Sequence, residues 1–172
     1  QICDLMGSSF LLPFVDVGVV IPVRKDGDGI AIGDVCGRID YVQPGGSTLQ
    51  DRGVYTPAEI RAEYLRRVAP EAHRQEVEAG YIRGLIDEAP GVITLNMRAA
   101  SAAVNEFIAR AFPYRLDQNR RYARTMFSLA ACDEDYTGED AFPIAPNPLL
   151  GRGDAEPLLG LPSLKRPKKA AA

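Results

Sequence analysis

The chain has 172 residues, 46% of them hydrophobic and 25% charged, a balance typical of a single globular domain with a sizeable core. Its formal net charge of −3 at pH 7 argues against nucleic acid as a main partner, because phosphate binding needs an excess of lysine and arginine. Three cysteines, odd in number and widely spaced, fit neither a disulfide framework nor a pair of metal-binding knuckles, and they indicate a reducing, cytoplasmic location.

The first predicted element is a strand in the run FLLPFVDVGVVIPV, residues 10–23. Branched aliphatic residues dominate the run and its prolines exclude a helix, so we expect a buried strand that begins near Leu11. This is also the longest apolar run, and it falls short of the roughly 20 residues that a membrane-spanning helix needs. The chain begins at Gln1 with neither an initiator Met nor a signal-peptide pattern, so we expect a fragment or a processed product that does not engage a membrane.

Turn-forming residues KDGDG, 25–29, precede two short alternating runs, Ile30–Cys36 and Arg38–Val42. The alternation predicts that these two runs pair as antiparallel strands and add a hairpin to the sheet. The loop PGGSTLQDRG, residues 44–53, follows directly and has the composition of a tight connection.

Three helices are predicted next. Thr56, Pro57 and Glu59 form a capping box with proline at the first helical position, so a helix begins there. A second, polar helix spans residues 70–79, and a loop at 80–91 leads to the most regular element, Val92–Phe112. Small and apolar residues recur on one face of Val92–Phe112, which predicts a long helix packed closely against the sheet.

The pattern weakens after Pro113. Residues 121–129 are consistent with a strand, whereas residues 130–148 are acidic, rich in proline and without periodicity, so we expect a loop there. Residues 161–172 include the basic run KRPKK and predict a disordered tail. A solubilising role is the ordinary interpretation of such a tail, and an import signal or a nucleic-acid contact is the alternative.

Sequence motifs for catalysis are few. His73 is the single histidine, so a serine or cysteine nucleophile has almost no candidate base. Neither G-x-G-x-x-G nor G-K-[ST] occurs, and the glycines at 27–33 lie between strands, so no phosphate loop is expected. The acidic run Asp133–Asp135 has the ordinary interpretation of a solvated surface.

The order of several segments carries more information than any one motif. FLLPFVDVGV with Pro13, Asp16 and Gly18, then GRIDYVQPGG, then RAEYLRR, then GYIRGLIDEAPGVITLN resembles the carboxyl-terminal half of the ThiF/MoeB/HesA family of ubiquitin-activating-enzyme-like adenylyltransferases. The resemblance covers about residues 9–112 and continues more weakly to Gly160. It implies an α/β fold, the distal half of a Rossmann-like ThiF-type domain in residues 1–160, with an added antiparallel hairpin and the sheet packed against a long helix.

The resemblance also implies a function. Members of the family use ATP and Mg²⁺ to adenylate the carboxyl-terminal glycine of a ubiquitin-like or sulfur-carrier protein, since a mixed anhydride has a far better leaving group than a carboxylate. The nucleotide-binding half of the domain would precede this chain, so the chain alone is expected to be inactive. A homodimer is expected, and Asp16, Asn96 and Arg98 are the candidate substrate-binding residues, with strand and helix packing as the ordinary alternative for each.

Family members often hold a structural zinc with two Cys-x-x-Cys pairs. The resemblance places Thr48 and Asp51 at the first pair, and Asn147 and Leu150 at the second. Zinc prefers thiolate and imidazole, so these four vacated positions predict that no zinc is bound. The loop at 80–91 also lacks the cysteine that forms a thioester or persulfide in some relatives. A non-catalytic ThiF-like scaffold or subunit that binds a partner protein is therefore the alternative function.

Overall fold

The structure is a computed structural model that describes residues 1–26, 29–79 and 91–145, with the backbone alone at 24–26 and 29–30. Within these ranges the chain is mixed α/β, with four α-helices and six strands. The helices are α1 (Ile2–Phe10), α2 (Pro57–Val68), α3 (Pro70–Glu78) and α4 (Ile93–Ala111). The strands are β1 (Phe14–Val20), β2 (Val23–Asp26), β3 (Gly29–Ile32), β4 (Cys36–Val42), β5 (Arg124–Ser128) and β6 (Asp133–Thr137).

Four of the strands form one antiparallel sheet in the order β1-β4-β5-β6. Residues that lie directly opposite one another in such a sheet present their side chains to the same face. Ile39 lies opposite Val17 and Thr125, on the apolar face, whereas Asp40 lies opposite Asp16 and Arg124, on the other face. The sheet therefore has one apolar face and one face that carries charged residues, which we call the polar face.

The long helix α4 covers the apolar face, as the sequence predicted. Leu95 and Ala99 on α4 are 1% exposed and pack with Ile39 and Phe127 of the sheet. Small residues on α4 allow a close approach of helix and sheet. The ring of Phe127 lies over Gly37, where a Cβ atom would be 2.0 Å from the ring, so glycine is required at that position.

Strand β1 differs from its prediction in two ways. It begins at Phe14 and not near Leu11, because α1 ends in a left-handed residue, Leu11, with φ 56°. It is also an edge strand and not a buried one, since it pairs with β4 alone among the described strands and leaves Val19 and Val20 exposed. A continuous apolar run does not distinguish a central strand from an edge strand that a helix covers on one face.

The predicted hairpin is present but its strands are different ones. Val23–Asp26 pairs with Gly29–Ile32 and forms a separate two-stranded sheet. The run that was expected to pair with Ile30–Cys36 is β4, and it pairs with β1 and β5. The expected pairing was wrong because Val23–Asp26 and Gly29–Ile32 are closer along the chain, and bringing close segments together costs less entropy.

Other elements were predicted with mixed success. The capping box of Thr56 and Glu59 is present and begins α2 at Pro57, and strand β5 lies within the predicted range. The expected loop at 130–148 instead contains strand β6, whose exposed residues give no apolar alternation. The loop at 80–90 and the tail at 161–172 lie outside the described residues.

The described part of the fold does not confirm the Rossmann-like, ThiF-type assignment, because every strand pair in it is antiparallel. Within the same ranges, no helix has both the length and the apolar character needed to cross a membrane.

Candidate functional site

A buried network of ion pairs occupies the polar face of the sheet. Its centre is Asp40 on β4, which is fully buried and accepts hydrogen bonds from Arg38, Arg52 and Arg124. Arg52 Nη1 is 3.1 Å from Asp40 Oδ1, and Arg124 Nε is 2.9 Å from the same oxygen. A buried carboxylate needs such partners because desolvation costs it far more than a neutral group.

Arg52 joins this network to three other parts of the chain. Its side chain is fully buried, and it donates to Glu139 Oε2 at 2.7 Å, to Ser47 Oγ at 2.8 Å and to the carbonyl oxygen of Ala123 at 2.8 Å. The ring of Phe142 stacks on its guanidinium, with 4.9 Å from Cζ to the ring centroid. Since Arg52 belongs to the 44–53 loop, these contacts fasten that loop over the polar face.

Asp16, a predicted site residue, lies at the edge of the same network. Its carboxylate is 2.8 Å from Arg38 Nη2, and both side chains are about a quarter exposed or less. Arg38 also lies against Gly18, where a Cβ atom would be 2.9 Å from its guanidinium nitrogen. Asp16 is therefore one of three carboxylates, with Asp40 and Glu139, that balance the three arginines of the polar face.

Asn96 and Arg98 do not meet Asp16. Both are on α4, on the opposite side of the sheet, and both are exposed. The guanidinium of Arg98 stacks on Phe127 at 4.3 Å and lies 3.4 Å from the carboxylate of Glu134. The three predicted substrate-binding residues are thus divided between two faces of the sheet.

The 44–53 loop is held to α1 by hydrogen bonds to Asp4. Asp4 on α1 is 2% exposed and accepts from the backbone N–H groups of Leu49 and Gln50 and, at 2.7 Å, from the Tyr55 hydroxyl. Desolvation and the hydrogen bond to Asp4 raise the pKa of Tyr55 above its ordinary value, so the phenol remains a donor. The loop is therefore tied to α1 by Asp4 and to the sheet by Arg52.

Thr48 and Asp51, the two positions placed at the first Cys-x-x-Cys pair, bind each other. Asp51 Oδ2 accepts from the Thr48 N–H and hydroxyl, each at 2.9 Å, and the Asp51 N–H donates to Thr48 Oγ1. The other carboxylate oxygen of Asp51 accepts from the Ala145 N–H at 3.0 Å, across 94 residues of sequence. Asn147 and Leu150, placed at the second pair, lie outside the described residues.

On the polar face, the described arginines and carboxylates pair with one another. Each arginine of the polar face is already paired with a carboxylate, so none is available for a phosphate group. Within the same ranges no group of three or more His, Cys, Asp or Glu side chains is placed to hold a metal ion. A hydroxyl and a carboxylate that bind each other are also a poor donor set for zinc.

Cys36 is held as a thiol. Its Sγ donates to Asp34 at 3.0 Å, and Asp34 also accepts from Ser128 Oγ at 2.6 Å. The hydrogen bond to Asp34, with some desolvation, raises the pKa of Cys36 to about 11, whereas the same contacts lower the pKa of Asp34. The thiolate, which is the nucleophile, is therefore scarce at neutral pH.

One weak signal of the network is visible in the sequence. Arg38 and Asp40 stand two residues apart in a strand, so they share a face, and opposite charges on one face suggest partners. Arg52, Arg124 and Glu139 come from distant segments, and only the fold brings them to Asp40.

Comparisons with known proteins returned no match: no family model, curated protein or solved structure is similar to this chain at the level of significance required.

Proposed function

We propose that this chain is the distal part of a ThiF-type adenylyltransferase that activates the carboxyl-terminal glycine of a ubiquitin-like or sulfur-carrier protein. The observation that carries the proposal is the hydrogen bond between Asp51 and the N–H of Ala145. The sequence resemblance pairs the segment at Thr48 and Asp51 with the segment at 147–150, although about 95 residues separate them. The structure brings the chain to Asp51 only two residues before the second segment begins.

In this proposal the 44–53 loop keeps the position of a zinc-bound loop without zinc. The Thr48–Asp51 hydrogen bonds close the turn, and the Asp51–Ala145 hydrogen bond replaces the link that the metal would make between the two segments. Arg52 and Asp4 fasten the same loop to the sheet and to α1. Between Thr48, Asp51 and Ala145, the described connection consists of hydrogen bonds within the protein.

In this proposal ATP and Mg²⁺ bind to residues other than Arg38, Arg52 and Arg124, since these three arginines are paired with carboxylates. The role of this chain would be to present its sheet and the 80–91 loop to the flexible carboxyl-terminal tail of the carrier. Asp16 would act from the polar face, whereas Asn96 and Arg98 would act from the helix face, so we expect them to contact different parts of the carrier.

The test is ATP–pyrophosphate exchange by the full-length gene product in the presence of candidate carriers. We expect exchange that depends on both the carrier and its terminal glycine, so a carrier without that glycine is the matched control. Absence of exchange with every ubiquitin-like and sulfur-carrier protein of the source organism would count against the proposal.

A second candidate function is a ThiF-like scaffold or subunit that binds a partner protein without catalysis. The observation that favours it is a second apolar stripe on α4, opposite the face that packs on the sheet. Ile93, Met97, Val104 and Phe107 share this stripe and are each more than half exposed. A helix that is apolar on two faces is normally covered on both.

The stripe also suits the homodimer that the resemblance implies. Sedimentation of the full-length protein with and without Val104→Glu separates the two roles of the stripe. A dimer that this change dissociates would assign the stripe to a second copy, whereas an unaffected state would leave it to a different partner.

The gene sequence that precedes Gln1 discriminates the two functions, since a glycine-rich turn after a strand would favour the enzyme.

A further inference from the structure

We propose that the basic carboxyl-terminal segment, residues 163–172, binds back onto an acidic area on the polar face of the same chain. This inference does not rest on the proposed enzymatic function. It rests on the distribution of charge, on the open half of the sheet and on the place where the described chain ends.

The polar face has a covered half and an open half. The covered half lies around Asp40, where Arg52 and Phe142 close over the sheet. The open half lies at the other end of the strands, where Met126 on β5 is 42% exposed and Val20 on β1 is 54% exposed. Among the described residues, this half of the face therefore remains accessible to another segment of the chain.

Three exposed carboxylates line the open half, and we call them the acidic half-face: Asp34, Asp133 and Asp135. Asp133 lies opposite Ser128, and Asp135 lies opposite Met126, so both belong to the polar face. Asp34 joins them through its hydrogen bonds to Ser128 and Cys36. None of the three forms a salt bridge with a side chain that the structure describes, in contrast to Asp16, Asp40 and Glu139 on the covered half.

The charges of the two parts of the chain are opposite in sign. Residues 1–145 contain 15 lysines and arginines against 21 aspartates and glutamates, a formal charge of −6. Residues 163–172 contain Lys165, Arg166, Lys168 and Lys169 and no acidic residue, a formal charge of +4. A cationic segment tethered to an anionic body is held close by its own linker, which gives it a millimolar effective concentration.

The described chain ends on the side of the sheet that carries the acidic half-face. Ala145 is bound to Asp51 in the loop that covers the polar face, so the described chain ends on that side of the sheet. The far end of the acidic half-face, at Asp133 and Ser128, lies opposite Cys36 on β4. Four residues separate Cys36 from Asp40, so this end is about 13 Å along the strands from Asp40. The 17 residues from 146 to 162 reach up to about 56 Å when extended, so they span this distance easily. Pro167 disfavours strand pairing and favours side-chain contacts of the basic residues with the carboxylates.

The experiment is zero-length carbodiimide crosslinking of the full 172-residue chain at low concentration, with the products mapped by mass spectrometry. We expect Lys165, Lys168 and Lys169 to crosslink chiefly to the acidic half-face. In the double variant Asp133→Asn and Asp135→Asn, we expect the yield at the remaining carboxylate to fall about fivefold. The matched control is Glu63→Gln with Glu78→Gln, which removes the same charge from exposed positions on α2 and α3 and is expected to change the yield less than twofold.

Two results of the crosslinking experiment would overturn the proposal. Crosslinks spread over all exposed carboxylates would show a free tail, and crosslinks between ¹⁴N and ¹⁵N chains in a mixed sample would show a tail bound to a second copy. A second measurement keeps the test independent of the aspartate variants: the amide NMR shifts of Ser128 and residues 133–135 when the four basic residues of the tail are changed to glutamine. We expect these shifts to move when the basic residues are replaced. We expect the same movement for the unchanged chain in 0.5 M NaCl, because the Debye length is then below about 5 Å and salt screens the attraction between the tail and the carboxylates. Unchanged shifts would contradict binding.

Discussion

Replacing the buried Arg52 by methionine is expected to destabilise the fold strongly. Methionine retains much of the side-chain volume but removes the charge and all four hydrogen-bond partners of the guanidinium: Asp40, Glu139, Ser47 and the carbonyl of Ala123. Asp40 keeps Arg38 and Arg124, so its charge remains partly compensated. Glu139, in contrast, loses the guanidinium that pairs with its Oε2.

The size of the effect follows from burial. Removing one partner of a buried ion pair costs about 3–5 kcal/mol, since the remaining charge is left without compensation. For a domain of this length, each kcal/mol lowers Tm by roughly 2–4 °C, so we expect a fall of roughly 6–20 °C. Arg52 is fully buried, so solvent screening does not reduce this figure.

Urea unfolding followed by circular dichroism measures the loss. The matched control is Arg121→Met, which removes an arginine whose side chain is 68% exposed and pairs with an exposed Asp117, so the expected cost is at most about 1 kcal/mol. The reasoning would be refuted if the two variants had equal stability, or if Arg52→Met lost less than about 1 kcal/mol. Either result would mean that Arg52 contributes little more than an exposed ion pair.

Three further predictions concern other parts of the chain. Asp34→Asn should lower the pKa of Cys36 from about 11 towards its ordinary value of 9.0. Alkylation of Cys36 by iodoacetamide at pH 9 should then become faster. An unchanged rate would show that Asp34 does not keep the Cys36 thiol protonated. Thr56→Ala should cost about 1 kcal/mol in urea unfolding and Thr56→Ser much less, because serine retains the capping oxygen; equal losses would argue against the cap. Gly37→Ala should cost more than about 1 kcal/mol and move the near-ultraviolet spectrum through Phe127, and a neutral substitution would mean that the ring moves freely.

Local patterns predicted those elements that depend on local interactions. The capping box of Thr56 and Glu59 acts within one turn, and the spacing of small residues in α4 specifies the face that packs on the sheet. For this reason α2 and α4 were predicted closely. Strand β6 has almost no apolar residue, since it lies at a sheet edge with both faces wet, and its sequence looked like a loop.

The candidate site depends on long-range contacts that no local pattern records. Asp16 was singled out from the sequence, but its partner Arg38 and the central Asp40 were not. Arg52 and Arg124 are 72 residues apart and meet only because β4, β5 and the 44–53 loop converge on one face. Asn96 and Arg98 were named as candidate substrate-binding residues together with Asp16, and the sheet lies between them and Asp16.

Asp4 connects α1 to the centre of the sheet. This carboxylate lies in the first turn of α1, and through Leu49 and Gln50 it fixes the loop that delivers Arg52 to Asp40. A truncation or proteolytic cut that separates α1 from the sheet would therefore remove the first link in a chain of contacts that ends in the middle of the sheet. A fragment designed for expression should keep α1 joined to the strands.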